Sequence, residues 1–230
     1  MKRFWKEARA VERGDGWGVE LDGKPLRTPG KKGLTVPSVA LAEAIAAEWS
    51  GAAETIDPRA MPLTDFANAA IEQVAPDREA FAAKLATYGE SDLLCYRAEA
   101  PAPLIAREAA AWGPLLAWAR RRFDVDFVVT SGITHVPQPA ATVARLGHAV
   151  AMLDAFRLAA LSPLVTIGGS LVAALAVLEE AIAPEEAWQA VSVDEYWQLE
   201  QWGADAEAEA ALANKQRDFL AAADLLRRLD

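Results

Sequence analysis

Near its C-terminus the chain reads VSVDEYWQLEQWGADAEAE, placing a tyrosine, two tryptophans, two glutamines and several carboxylates in one helical stretch. Carboxylates at this density could hold a divalent cation or act as a general acid and base, but their spacing singles out no one group. On one continuous helix Trp188, Val191, Leu199 and Trp202 form an apolar stripe, with Glu195 in its middle at spacings of three and four. Ser192-Val193-Asp194-Glu195 also fits a capping box, in which Glu195 reaches back to the backbone of a new helix start. Tyr196 and Trp197 point away from that stripe. With Gln198, Gln201 and Trp202 facing outward beside the acids, the stretch makes a polar-rimmed aromatic patch suited to a protein partner.

The other groups that could do chemistry are few. No GxxxxGK[ST] loop occurs, and GDGWG lacks the spacing, the preceding strand and the following helix of a dinucleotide fingerprint. A nucleophile elbow at Ser170 needs a glycine two residues on, where Val172 stands, so the glycines of TIGGSLVAAL read as close helix packing. His135 and His148 are the only histidines, and no HExxH or paired-cysteine spacing accompanies them, so no zinc site assembles. His148 lies on an apolar helix and reads as structural. The single cysteine, Cys95, sits in the apolar run DLLCY and reads as a buried, inert thiol in a reducing compartment.

The elements that position these residues follow from patterning. At 230 residues, 53% of them apolar, the chain has material for a sizeable core in two unequal domains. Trp17, Val19 and Leu21 alternate with Gly18 and Glu20, and Asp22-Gly23 supplies a two-residue hairpin turn before KPLRT. With ARAVE and GLTV this predicts three or four short antiparallel strands. Ser38 caps a covering helix whose Leu41, Ile45 and Trp49 form one stripe. Beyond Asp57-Pro58 the pattern is helical, punctuated by Pro, Gly, Ser and Asp. One β-branched stretch, VDFVVTSGI, reads as a strand returning to the N-terminal sheet. The fold class is therefore α+β: an N-terminal β-rich domain over residues 1–57 with its covering helix, then a larger helical domain over 58–230.

Pro114 is expected to kink its helix, and Arg120 to Arg122 suit a helix C-terminus without invoking a phosphate. The uncharged run from Leu158 to Leu178 approaches membrane-spanning length, but Ser162-Pro163 and Gly168-Gly169-Ser170 interrupt it, and a buried central helix accounts for it better. A formal net charge of −10, scattered along helices, argues against nucleic-acid binding and for solubility.

Taken in order, RFWKEARAVE, GWGVELDGKPLRTPG, LAEAIAAEW, IDPRAMPLTDFANAAIEQV, YGESDLLCYRAE and DEYWQLEQWGADAEAE resemble the assembly chaperones of the ATP synthase catalytic sector, found in mitochondria and alphaproteobacteria. The resemblance runs over nearly the whole chain. It implies a β-rich domain joined to a helical one, no enzymatic activity and no cofactor. It implies binding to the unassembled alpha subunit, which is covered against self-association until the beta subunit replaces the chaperone. The family's acid-and-tryptophan segment matches at Glu195, Gln198, Trp202, Gly203 and Glu207, which become the expected partner-binding positions; the important carboxylate is either Glu195 or Glu207. Trp49 also matches, and its stripe gives it a folding role. Mitochondrial members carry a leading import segment that is absent here, so the expected setting is the bacterial cytoplasm, with the free chain a monomer and no membrane insertion. Two rival readings remain open. One is an enzyme with an unrecognised carboxylate-based site, and the other a permanent subunit of a larger complex.

Overall fold

The computed structural model describes residues 2–203 and 205–229. They form two compact units, residues 2–78 with 154–160 and 224–229, and residues 79–153 with 161–203 and 205–223.

The first unit is built on four short strands, β1 (Ala8–Arg13), β2 (Gly16–Leu21), β3 (Lys24–Pro25) and β4 (Thr35–Val36). β2 is central: β1 pairs along one edge, and β3 and β4 share the other, all antiparallel. Asp22 and Gly23 both have positive φ, +48° and +76°, as a two-residue turn with right-handed strand twist requires. The alternation buries Val19 and Leu21.

Helix α1 (Val39–Gly51) covers β1 and β2. Ser38 starts it by accepting the Leu41 N–H at 3.1 Å, and Leu41, Ile45 and Trp49 are buried as the stripe predicts. The Trp49 Nε1–H donates to Thr64 Oγ1 at 3.1 Å, and the Trp49 carbonyl accepts from buried Trp5 at 3.1 Å. Helix α2 (Pro62–Ala69) has no cap of its own. Glu48 of α1 replaces it, accepting the N–H groups of Leu63 at 2.7 Å and Thr64 at 2.9 Å and the Thr64 hydroxyl at 2.6 Å. The pair Glu48-Trp49 thus locks two helices together.

Helix α3 (Arg78–Ala86) leads into the second unit, followed by a short strand β5 (Tyr96–Arg97) and the long helix α4 (Ala102–Phe123). α4 continues through Pro114 and ends with Arg120, Arg121 and Arg122 in its last turn. The strand β6 (Thr130–Ser131) pairs in parallel with β5, so VDFVVTSGI does not return to the N-terminal sheet. Local partners capture it first: the Gln138 amide holds both the N–H and the C=O of Val128, at 3.0 and 2.9 Å.

Five helices and a last long one complete the chain: α5 (Ala140–Ala151), α6 (Ala155–Gly168), α7 (Leu171–Leu178), α8 (Pro184–Val191), α9 (Val193–Trp202) and α10 (Ala206–Arg227). His148 of α5 is exposed rather than packed. The uncharged run is two helices, not one buried helix. Gly169, at φ +67°, ends α6, and Ser170 caps α7 by accepting from the Ala173 N–H at 3.0 Å. Among the described residues no helix is long and apolar enough to cross a membrane.

Candidate functional site

The segment that opened the sequence reading is divided by its burial pattern. Trp188 of α8 is buried, its ring centroid 5.6 Å from Phe219 and its Nε1–H donating to the Tyr196 hydroxyl at 3.0 Å. The buried Trp112 indole of α4 donates to the Ala190 carbonyl at 2.6 Å. α8 is thereby an anchored core helix. α9 is different, for none of its residues is fully buried.

The apolar stripe predicted from Trp188 to Trp202 does not run through, because the chain turns at Ser192 and Trp202 ends 79% exposed. The capping box does not form either. Ser192 is buried and its side chain caps nothing, while its N–H and C=O carry the turn by bonding Trp188 and Tyr196. On its other face α9 is tied to α4 by Arg107, whose Nη1 lies 2.7 Å from Glu200 Oε2 and whose guanidinium stacks over Trp197 at 4.8 Å.

This leaves Glu195, Gln198, Leu199 and Trp202 facing Ala208, Ala211, Leu212 and Lys215 of α10, with Gly203 and Asp205 at the turn between the helices. Together they line an open groove of about 360 Å³. Gly203, at φ +83°, allows the turn. The structure therefore brings together Glu195, Gln198, Trp202 and Gly203. Glu207 stands outside the groove, exposed in the first turn of α10. Asp205, Leu212 and Lys215 were missed in the sequence, although Ala208, Ala211, Leu212 and Lys215 do recur at helical spacing. Among the described residues the lining holds no histidine, cysteine or hydroxyl. An apolar floor, an exposed indole and two flanking carboxylates suit contact with a polypeptide better than bond chemistry.

The other reactive groups are enclosed. Cys95 is fully buried, and burial pushes its thiol up to about 12. Burial also pushes the Asp92 carboxyl up to about 6, against hydrogen bonds that favour its charged form. Asp92 accepts from the Leu94 N–H at 3.0 Å and the Val172 N–H at 2.9 Å, and so joins the turn before β5 to the start of α7. A carboxyl so occupied has no face for a substrate. Among the described residues, no group of three or more His, Cys, Asp or Glu is placed to hold a metal ion.

The fold defines the class first: an α+β protein with a small antiparallel sheet under a covering helix, continued by a mostly helical part. Comparison with known proteins gives the family. Residues 2–120 match the profile of the ATP12 chaperone proteins. The crystal structure of Atp12 from Paracoccus denitrificans is 44% identical with a TM-score of 0.95, covering 100% of this chain and 98% of that one. A protein from Agrobacterium tumefaciens is 38% identical, also at a TM-score of 0.95, covering 100% of this chain and 86% of its own. The mitochondrial atp12 of Schizosaccharomyces pombe is 24% identical over 242 residues, spanning 99% of this chain and 82% of that protein. The chain belongs to the ATP12 chaperone family.

Proposed function

We propose that the protein is an assembly chaperone of the ATP synthase catalytic sector, which binds the unassembled alpha subunit through the α9–α10 groove until the beta subunit replaces it. The observation that carries this reading is Trp202, a large indole 79% exposed at the edge of an apolar groove. Aromatic anchors of this kind supply most of the binding energy at protein interfaces. Glu195 and Asp205 beside it outnumber Lys215 in the lining and favour a segment with basic residues. A transient cover must also be displaced, which one anchor in an open groove permits and a deep closed pocket would not. The chemistry is that of binding, without catalysis or cofactor. Likeness to proteins of Paracoccus and Agrobacterium favours a bacterial setting, and action there as a cytoplasmic monomer is part of the same proposal.

The test is capture of purified alpha subunit by the wild-type chain and by the Trp202→Ala, Glu195→Lys and Glu207→Ala variants. Trp202→Ala is expected to weaken binding by about tenfold or more, with an unchanged melting temperature because the side chain is exposed. Glu195→Lys should weaken it as well, and comparison with Glu207→Ala decides which carboxylate matters. Binding that survives all three changes would move the docking surface elsewhere. If wild-type chain captures no alpha subunit, the partner assignment fails.

A further inference from the structure

Glu108 of α4 is only 1% exposed, yet it forms no ion pair with a basic side chain among the described residues. Its Oε2 accepts the Ala98 N–H at 2.8 Å, and its backbone carbonyl accepts Arg97 Nη1 at 2.9 Å. The Arg97 guanidinium itself lies over the Trp112 ring at 4.7 Å. α4 packs on α9, and the Glu108 carboxyl interacts there with another carboxyl, that of Asp194 in the first turn of α9. Asp194 Oδ1 is buried and has no hydrogen-bond donor. Two ionised carboxylates in contact away from water repel, and Asp194 Oδ1 is left as an unfilled acceptor. A proton on Glu108 removes both penalties, since the protonated carboxyl donates to Asp194 Oδ1.

We propose that Glu108 is held protonated and donates to the buried Oδ1 of Asp194, and that this acid pair is a latch positioning α9, the helix that presents Glu195, Gln198 and Trp202. Burial, chiefly, pushes the Glu108 carboxyl above the usual carboxylate range; the Ala98 N–H opposes it, the Asp194 charge adds to the rise and Arg97 opposes it.

The charged groups around the pair leave this proton as the part that changes. From β5 comes Arg97. Arg107 of α4 and Glu200 of α9 are already paired with each other. Glu195 of α9 is exposed and lines the groove. Glu185 and Glu186 of α8 are exposed, and α7 carries no ionisable side chain. In the turn before β5, Asp92 is committed to the backbone of Leu94 and Val172. Below the raised pKa of Glu108 the pair keeps its proton and α9 is held. As pH rises through that value Glu108 ionises, the like charges repel, and the latch weakens.

The experiment is hydrogen exchange on the intact chain between pH 5 and 8.5, expressed as protection factors so that the intrinsic pH dependence of exchange is removed. Protection of the α9 amides is expected to fall several-fold with rising pH in the wild type. Glu108→Gln puts a permanent N–H donor against Asp194 while its carbonyl still accepts from Ala98, so protection should stay high and independent of pH. Asp194→Asn should do the same from the other side. A role in packing alone would not flatten the profile. Titration of Asp92 is distinguishable, because it reads out at the start of α7. The proposal is overturned if Glu108→Gln keeps the wild-type profile. It is equally overturned if wild-type α9 protection does not change with pH, a result that needs no variant to fold. The latch does not depend on the partner's identity. Its consequence for binding does rest on the alpha-subunit reading: at high pH Glu108→Gln should retain capture that the wild type loses. Flattened exchange without this retention would separate a correct latch from a wrong partner.

Discussion

Two tryptophans of one chain do opposite work because of what surrounds their indole N–H groups. Trp49 is buried against Trp5, and its N–H is satisfied by Thr64. Trp49→Ala should cost about 3 kcal/mol or more through lost packing and the lost hydrogen bond to Thr64, whereas Trp49→Phe, which mainly loses the hydrogen bond, should cost about 1 kcal/mol. Thermal or urea unfolding reads both. The same accounting applies to Asp92. Asp92→Asn can accept only one of the two N–H bonds well, so it is expected to destabilise by roughly 1–3 kcal/mol at neutral pH. Its folded-state pKa, about 6, lies above that of an exposed aspartate. Between those two values the folded chain holds a proton that the unfolded chain has lost, so acidification through this window stabilises the fold at this site. The stability difference between wild type and Asp92→Asn should therefore widen as pH falls from 7 to 5. A constant difference would show that Asp92 stays charged throughout.

At the scale of elements, several starts and stops are local and one is borrowed. Ser38 and Ser170 cap their own helices. α2 instead depends on Glu48, fourteen residues before its first residue, for the donors of its first turn. Glu48→Ala should lower stability by about 2 kcal/mol, with exchange protection lost first in α2 while the interior of α1 is kept. An unchanged exchange pattern in α2 would mean that water serves as well as the carboxylate. α9 is held by contacts at its edges: Arg107 with Glu200 and Trp197, Tyr196 with Trp188, and the Glu108–Asp194 pair. A helix that buries no side chain completely has little packing to keep it in place if those ties are cut.

For the molecule as a whole, the formal charge of −10 and a pI near 4.8 set its colloidal behaviour. Solubility should pass through a minimum near pH 4.8, where self-repulsion vanishes and exposed apolar groups such as Ile133, Met152 and Trp202 can meet those of other copies. Light scattering across pH 4 to 8 checks this. An acid titration of the fold is therefore best read above pH 5, where the chain keeps a net negative charge. Cys95 adds a probe of the second unit's core. Its thiol is buried and pushed up to about 12, so it should react with a disulfide reagent only as the surrounding core opens.

Much of the architecture is dictated by signals that act over a few residues. The alternation of Val19 and Leu21, the Asp22-Gly23 turn, the Ser38 cap and the Leu41, Ile45, Trp49 stripe all read directly into strands, a hairpin and a covering helix. Backbone geometry and the side-chain period are local properties, and nothing distant overrides them there. The candidate site was legible in part. Glu195, Gln198 and Trp202 follow from the segment itself, but tertiary structure alone set Glu207 outside the groove and brought Lys215 and Leu212 into it. It also broke the expected stripe at Ser192, kept β6 beside β5, and put Glu48 at the start of another helix. The Glu108–Asp194 contact joins positions 86 residues apart, and no spacing rule connects them. Periodicity states which face of an element is apolar. What that face meets, and which carboxylates are driven together away from water, depends on packing that only the folded chain defines.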